Sequence, residues 1–224
     1  MISPRTLRGV LLDVDGTLID SNDAHASSWS DAFREFGYDI TPERVRPLVG
    51  MGGDKLLPQL TGLEHESDRA TLITERRKEI FNANYLPHLH AFPRAHELLA
   101  RFKQDDLALI VATSAQKPEL NEILAQTALD ELIDRKTSSS DADRSKPDPD
   151  IIQAALNRGH LKSDEAIMIG DTPYDVEAAT HAGVATIAFR CGGWSDRALS
   201  GAIAIYDDAR DLLARYDQSP FKGT

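Results

Sequence analysis

The chain has 224 residues, which is enough for one large domain or for a core that carries an insertion. Its 36 acidic residues outnumber the 25 Lys and Arg, so the formal net charge is −11, and this acidity disfavours nucleic acids and anionic membranes as partners. Apolar residues make up 41% and charged residues 27%, a composition typical of globular proteins rather than disordered ones.

Cysteine content and hydropathy narrow the class of protein further. The single cysteine, Cys191, excludes a disulfide within the chain and a cysteine-rich zinc site. No apolar run approaches the roughly 18 residues that a membrane helix needs, and the start of the chain has no apolar stretch behind a basic head. We therefore expect a soluble, cytoplasmic protein.

Five apolar runs occur along the chain, and we predict that each forms a strand. None alternates cleanly between apolar and polar residues, which is typical of parallel strands covered by helices on both faces. Amphipathic stretches separate the runs, so the pattern predicts an α/β fold with a Rossmann-like parallel sheet. A weaker sixth run lies at Leu132 and Ile133. The five runs are residues 9–12, 107–112, 166–169, 185–189 and 202–206.

Residues 20–89 interrupt this order, because they contain helical patterns and no convincing strand. Thr41 followed by Pro42 is typical of a helix start, and residues 67–86 are predicted to form one long charged helix. We therefore predict an inserted α-helical subdomain at residues 20–89, called the cap below. Residues 1–19 and 90–224 would form the α/β core.

The first apolar run is followed by Asp13-Val14-Asp15-Gly16-Thr17. Residues two apart in an extended segment point to the same side, so Asp13 and Asp15 can share one site. Open α/β sheets bind ligands at the carboxyl edge, where this segment is expected to lie. Two carboxylates there can hold a hard cation, act as a nucleophile, or act as a general acid and base.

Three further segments contain polar residues directly after a predicted strand or at a predicted helix start. Asp171 and Asp175 surround the predicted helix start Thr172-Pro173, where acids could also serve only as caps. Thr113 and Ser114 end the second run and could hold phosphate oxygens, although hydroxyl residues commonly end strands. Lys146 precedes two prolines and could neutralise phosphate charge, or could be an ordinary surface lysine.

These segments together resemble the four motifs of the haloacid dehalogenase superfamily, in its helical-cap branch. The likeness covers the whole chain and is strongest to members of the phosphoglycolate phosphatase and β-phosphoglucomutase types. It implies that Asp13 attacks phosphorus, that Asp15 acts as general acid and base, and that Thr113, Ser114 and Lys146 hold the phosphoryl group. It also implies Mg²⁺ as cofactor, with metal ligands or supports drawn from Asp13, Asp15 through its carbonyl, Asp171 and Asp175.

The cap would select the substrate. The loop Gly50-Met51-Gly52-Gly53-Asp54-Lys55 resembles the loop that faces the active site in this branch, although it could be a plain connector. From it we predict Gly52, Gly53 and Lys55 as substrate contacts, with His25 of the first cap helix as a further candidate. Arg77 and Lys78 of the long helix are interpreted as part of a solvated charged face.

The resulting prediction is a Mg²⁺-dependent phosphatase that acts on a small phosphorylated metabolite through an aspartyl-phosphate. Two alternatives stay open, a phosphomutase of the β-phosphoglucomutase type and a non-catalytic domain that senses a phosphorylated ligand. The pair Asp13 and Asp15 disfavours dehalogenation and C–P bond cleavage, because the relatives that catalyse those reactions lack the second acid. Neither the physiological substrate nor the oligomeric state follows from the sequence.

Overall fold

The protein folds around a six-stranded sheet in which all paired strands run parallel, with the order β3-β2-β1-β4-β5-β6. The computed structural model describes residues 7–222. Strand β1 lies at the centre between β2 and β4, so the ends of these three strands meet at one edge. The strands are Gly9–Leu12, Ala108–Ala112, Arg135–Thr137, Ala166–Gly170, Ala185–Phe189 and Ala204–Tyr206. The α/β prediction is confirmed.

The helices cover both faces of this sheet and fill the segment between β1 and β2. One apolar cluster lies on each face, one including Phe102 and Phe189 and the other including Met168 and Ile152. In chain order, α1 to α9 are Asn22–Glu35, Pro42–Val45, Gly53–Thr61, Asp68–Asn84, Ala95–Gln104, Lys117–Gln126, Asp150–Gly159, Pro173–His181 and Ala209–Ala214. No helix within residues 7–222 has the length and apolar character needed to cross a bilayer.

The segment between β1 and β2 is helical and has an apolar cluster of its own. Helices α1 to α4 pack around Phe33, Trp29 and Ile73. The two segments that connect the cap with the core lie side by side, and Asp20 N–H of one donates to the His90 carbonyl of the other at 3.0 Å. This arrangement agrees with a cap joined to the core by two adjacent segments, and its boundaries at residues 20 and 89 stay a prediction.

Local sequence signals account for most element ends, with one error. Helix α4 begins after Ser67, whose hydroxyl accepts a hydrogen bond from Ala70 N–H, and α2 begins at Pro42. The weak run at Leu132 was the wrong position for a strand, because β3 comprises Arg135–Thr137. As an edge strand of polar residues, β3 lacks the continuous apolar signal that marks the central strands.

Candidate active site

The predicted chemical residues converge where β1, β2 and β4 end. Asp13 follows β1, Thr113 follows β2, and Asp171 follows β4. Because β1 pairs with both neighbours in register, the three side chains emerge at one edge of the sheet. The chain turns away after β1 at Gly16, where φ is +79° and an added Cβ would lie 2.3 Å from an Asp171 carboxylate oxygen.

Asp13 lies at the bottom of the site and is almost fully buried. One carboxylate oxygen accepts a hydrogen bond from the Lys146 ammonium at 2.6 Å, and the other lies 3.2 Å from the Thr17 hydroxyl, whose single proton it shares with Asp171. Both contacts restrict how the carboxylate can rotate. Lys146 is itself fully buried, so the interpretation of it as an ordinary surface lysine is wrong.

Asp171 and Asp175 belong to the same buried cluster but have different partners. Asp171 accepts hydrogen bonds from Thr17 at 2.8 Å and from Asn22 at 3.0 Å, one on each carboxylate oxygen. One Asp175 oxygen lies 2.7 Å from the Lys146 ammonium, and the other accepts from the Thr172 hydroxyl and backbone N–H. Asp175 therefore both caps α8 and pairs with the buried lysine.

The cluster carries excess negative charge. Burial, together with repulsion from Asp175, Asp171 and Asp15, raises the pKa of Asp13 well above its ordinary value despite the nearby Lys146 ammonium. Burial and the Asp175 charge raise the pKa of Asp171 to about 7, against the lowering effect of its hydrogen bonds. The pKa of Lys146 is also raised, because Asp13 and Asp175 outweigh its desolvation.

This donor set fits a hard divalent cation. An oxygen of each of Asp13, Asp171 and Asp175 lies within 4.8 Å of the others, and all three residues are buried. Carboxylate oxygens are the ligands that Mg²⁺ prefers, and two positive charges would offset the repulsion that raises the pKa values of Asp13 and Asp171. The Asp15 side chain lies outside this triad and bonds to other groups.

Asp15 is held from the cap side. One of its carboxylate oxygens accepts from the Ser21 hydroxyl at 2.6 Å and pairs with the His25 ring at 2.7 Å. Burial raises the pKa of Asp15, but the hydrogen bonds from His25 and Ser21 and the nearby charge of Arg77 outweigh it, and the pKa lies below its ordinary range. The structure thus brings His25 to Asp15, and a substrate contact by His25 stays a prediction.

A cavity of about 100 Å³ opens above these residues, between the sheet edge and the cap. Asp13 and Asp15 line it, as do Thr113 and Ser114. The Thr113 hydroxyl accepts from Ala115 N–H at 3.1 Å and keeps its proton free to donate. The Ser114 hydroxyl oxygen is buried without a hydrogen-bond partner among the described residues. The two hydroxyls can therefore hold oxygens of a bound anion.

The cap loop reaches the site, but its lysine has a different partner from the predicted one. Gly52 and Gly53 line the cavity, and Gly52 N–H donates to the Ser145 hydroxyl at 3.2 Å. The Lys55 ammonium donates to the Ser145 carbonyl at 2.6 Å and to Asp148 at 2.5 Å, outside the cavity lining. A substrate contact by Lys55 stays a prediction that would require these bonds to open.

Sequence reasoning missed several residues that hold the acids. Ser21 and Asn22 lie just before and within the first turn of α1, close enough in the chain to Asp15 for a contact to be suspected. The interpretation of Arg77 as solvated is wrong, because its side chain is buried. A signal existed for this, since Arg77 is four residues from both Ile73 and Phe81, on the apolar face of α4.

Comparison with known proteins decides the family. The family model described as haloacid dehalogenase-like hydrolase matches residues 10–189. The chain belongs to this family. The expected enzyme class, a phosphatase among the haloacid dehalogenase-like hydrolases, is confirmed.

Individual relatives cover most of the chain. A phosphoglycolate phosphatase from Rhodospirillum rubrum is 30% identical, covering 92% of this chain and 89% of its own. A pyrophosphatase from Bacillus cereus is 28% identical, covering 80% and 81%. A hydrolase of known structure from Pseudomonas syringae has a TM-score of 0.87 at 28% identity and covers 94% of this chain and 98% of its own. Both the core and the cap segment are therefore shared with these proteins.

Proposed function

We propose that this haloacid dehalogenase-like hydrolase is a Mg²⁺-dependent phosphatase that hydrolyses a small phosphorylated metabolite through an aspartyl-phosphate on Asp13. The observation that carries the proposal is the position of the Asp13 carboxylate at the floor of the cavity, where it bonds to buried Lys146. Thr113 and Ser114, which carry hydroxyl groups, line the same cavity. A carboxylate nucleophile, a charge-balancing lysine and oxyanion donors are the groups that phosphoryl transfer needs in one place.

The side chains of the site have distinct roles in this reaction. Thr113, Ser114 and Lys146 bind the phosphoryl oxygens and orient phosphorus toward Asp13, whose oxygen forms the new bond. The protonated form of Asp15 gives its proton to the leaving alcohol, and the resulting carboxylate takes one from the water that hydrolyses the aspartyl-phosphate. The Thr17 and Lys146 bonds keep Asp13 from rotating away while the second step occurs.

Asp13 and Asp171 are the side chains that would hold Mg²⁺, together with the Asp15 carbonyl. When bound, the ion would neutralise the charge that develops on the transferring group. Both oxygens of Asp175 already serve Lys146 and the start of α8, which supports an indirect role for Asp175 in that site.

The size of the cavity supports a small substrate. Its volume of about 100 Å³ is below the roughly 300–1,000 Å³ of sites for drug-sized ligands. The phosphomutase alternative would require the same cavity to hold a larger bisphosphate. A domain that only senses a ligand would not require a buried pair of Asp13 and Lys146 at the cavity floor.

A metabolite panel tests the proposal. The purified protein is assayed for phosphate release from phosphorylated metabolites of two to six carbons, with Mg²⁺ and with chelator. We expect Mg²⁺-dependent release that is fastest for the smaller esters and absent in Asp13→Asn. Conversion of glucose 1-phosphate to glucose 6-phosphate without net phosphate release would favour the mutase, and no turnover on any ester would favour the sensing domain.

A further inference from the structure

The orientation of Asp15 depends on a chain of buried polar contacts that extends beyond the reacting groups. Among the described residues, both hydrogen-bond partners of its side chain, Ser21 and His25, meet the same oxygen, Oδ1. The other oxygen, Oδ2, is therefore left for the cavity that Asp15 lines. Whatever fixes the His25 ring thus determines which Asp15 oxygen can exchange a proton with substrate.

Arg77 fixes the state of the His25 ring. A guanidinium nitrogen of Arg77 contacts Nδ1 of His25, and because arginine can only donate, Nδ1 must be the acceptor. The ring proton then lies on Nε2, which donates to Asp15. The ring is further held by stacking on Phe81, with centroids 4.5 Å apart.

Arg77 in turn depends on one residue of the core. Its side chain is only 7% exposed, and it lies over the rings of Phe81 and Trp29. A buried guanidinium requires a counter-charge, and Glu119 of α6 supplies it through a direct ion pair. The Glu119 side chain is itself only 11% exposed.

This series of contacts begins and ends in the core and passes through the cap. Asp15 and Glu119 belong to the core, whereas His25 and Arg77 belong to α1 and α4 of the cap. The first and last contacts of the series therefore join cap to core, and both form only when the cap lies over the sheet edge. We propose that Glu119 is a positioning residue of this enzyme, holding Arg77 so that His25 presents its Nε2 proton to Asp15. This inference rests on the proposed function, in which Asp15 is the general acid and base.

Kinetics of Glu119→Gln test the role, with Mg²⁺ and p-nitrophenyl phosphate as the probe. Gln keeps the size of the side chain and removes the charge. We expect kcat to fall about 10-fold or more, within the roughly 10²–10⁴-fold that proton transfer contributes, while KM changes less than about 2-fold. In a His25→Ala background the same change should cost less than about 2-fold, because the connection to Asp15 is already broken.

Glu35→Gln is the matched control. Glu35 forms an ion pair with Arg76, the neighbour of Arg77 on α4, but this pair is half-exposed and lies wholly within the cap. The control should keep wild-type kcat. An equal loss in both variants, a loss confined to KM, or an undiminished loss in the His25→Ala background would each overturn the positioning role.

A spectroscopic reading separates this inference from the proposed function. Nitrogen-15 NMR of histidine-labelled protein, assigned with His25→Ala, should show the Nε2–H tautomer of His25 in the wild type and in Glu35→Gln, and its loss in Glu119→Gln. An Nδ1–H ring in the wild type would overturn the inference even if turnover is normal. Absence of Mg²⁺-dependent turnover in the wild type would instead overturn the proposed function.

Discussion

At the scale of single residues, the site is controlled by charge crowding. Asp13 and Asp171 are buried beside Asp175, and Lys146 offsets only part of their charge. Burial comes first among the causes of their raised pKa values, and mutual repulsion adds to it. The folded protein without metal therefore holds protons on these carboxyl groups more tightly than the unfolded chain does.

This has a predictable effect on stability. The raised pKa values of Asp13 and Asp171 stabilise the metal-free fold at pH values below about 3.8, their ordinary pKa. The contribution of Asp171 is lost as the pH rises through about 7, and that of Asp13 is lost as the pH rises through its own raised pKa. Mg²⁺ requires the ionised carboxylates, so it should raise the unfolding temperature more at about pH 8 than at about pH 5.5.

Differential scanning calorimetry with and without Mg²⁺ measures this difference. Asp171→Asn is the control, and it should lose most of the Mg²⁺ shift at both pH values because a charged ligand is removed. An equal Mg²⁺ shift at the two pH values would contradict the link between the raised pKa values and metal binding.

At the scale of elements, the start of α8 joins stability to chemistry. Thr172 accepts from Asp175 N–H at 3.2 Å and donates to an Asp175 oxygen at 2.7 Å, while the other Asp175 oxygen pairs with Lys146. The same local signal that begins a helix thus helps to set the position of the buried Lys146.

Thr172→Ala should therefore affect both properties. We expect a loss of about 0.5–2 kcal/mol in the free energy of unfolding, the usual cost of removing a cap, together with a fall in kcat. Ser67→Ala removes the cap of α4, away from the site, and should cost similar stability with kcat unchanged. Urea unfolding and steady-state kinetics of both variants check this, and a fall in kcat common to both would refute the connection.

The elements also show how much the sequence can predict. Continuous apolar runs located the central strands, and acids directly after two of them located the site, because parallel strands end at one edge. The partnership of Arg77 and Glu119 was not predictable, since the two residues are 42 positions apart on separate helices and Arg77 lies within a run of charged residues. Only the tertiary fold shows that one charge of this run is buried.

At the scale of the whole molecule, the cap contacts the core through two separate groups of charged side chains. Lys55 bonds to Ser145 and Asp148, which flank Lys146, and Arg77 pairs with Glu119 of α6. The side chains of Lys55 and Asp148 are each more than a quarter exposed, so their pair contributes modestly, in the range of about 0.2–1 kcal/mol for exposed ion pairs.

Lys55→Ala separates two roles of this lysine. If Lys55 only holds the closed cap, its loss should raise KM by about 1.4- to 5-fold for every substrate, including p-nitrophenyl phosphate, because 1.4 kcal/mol corresponds to a factor of ten. A substrate contact would instead raise KM only for esters with a second polar group. Asp148→Asn is the matched variant, and the two should behave alike if the ion pair is what matters.

The central claim is that Asp13 is phosphorylated during turnover, and acid quenching of the reaction tests it most directly. With phosphorus-labelled substrate and Mg²⁺, label should appear on the peptide that contains Asp13 and should be sensitive to hydroxylamine, as an acyl phosphate is. Asp13→Asn should carry no label and show no turnover, because its amide has no anionic oxygen to attack phosphorus. Label on another residue, or near-normal Mg²⁺-dependent turnover in Asp13→Asn, would contradict the account.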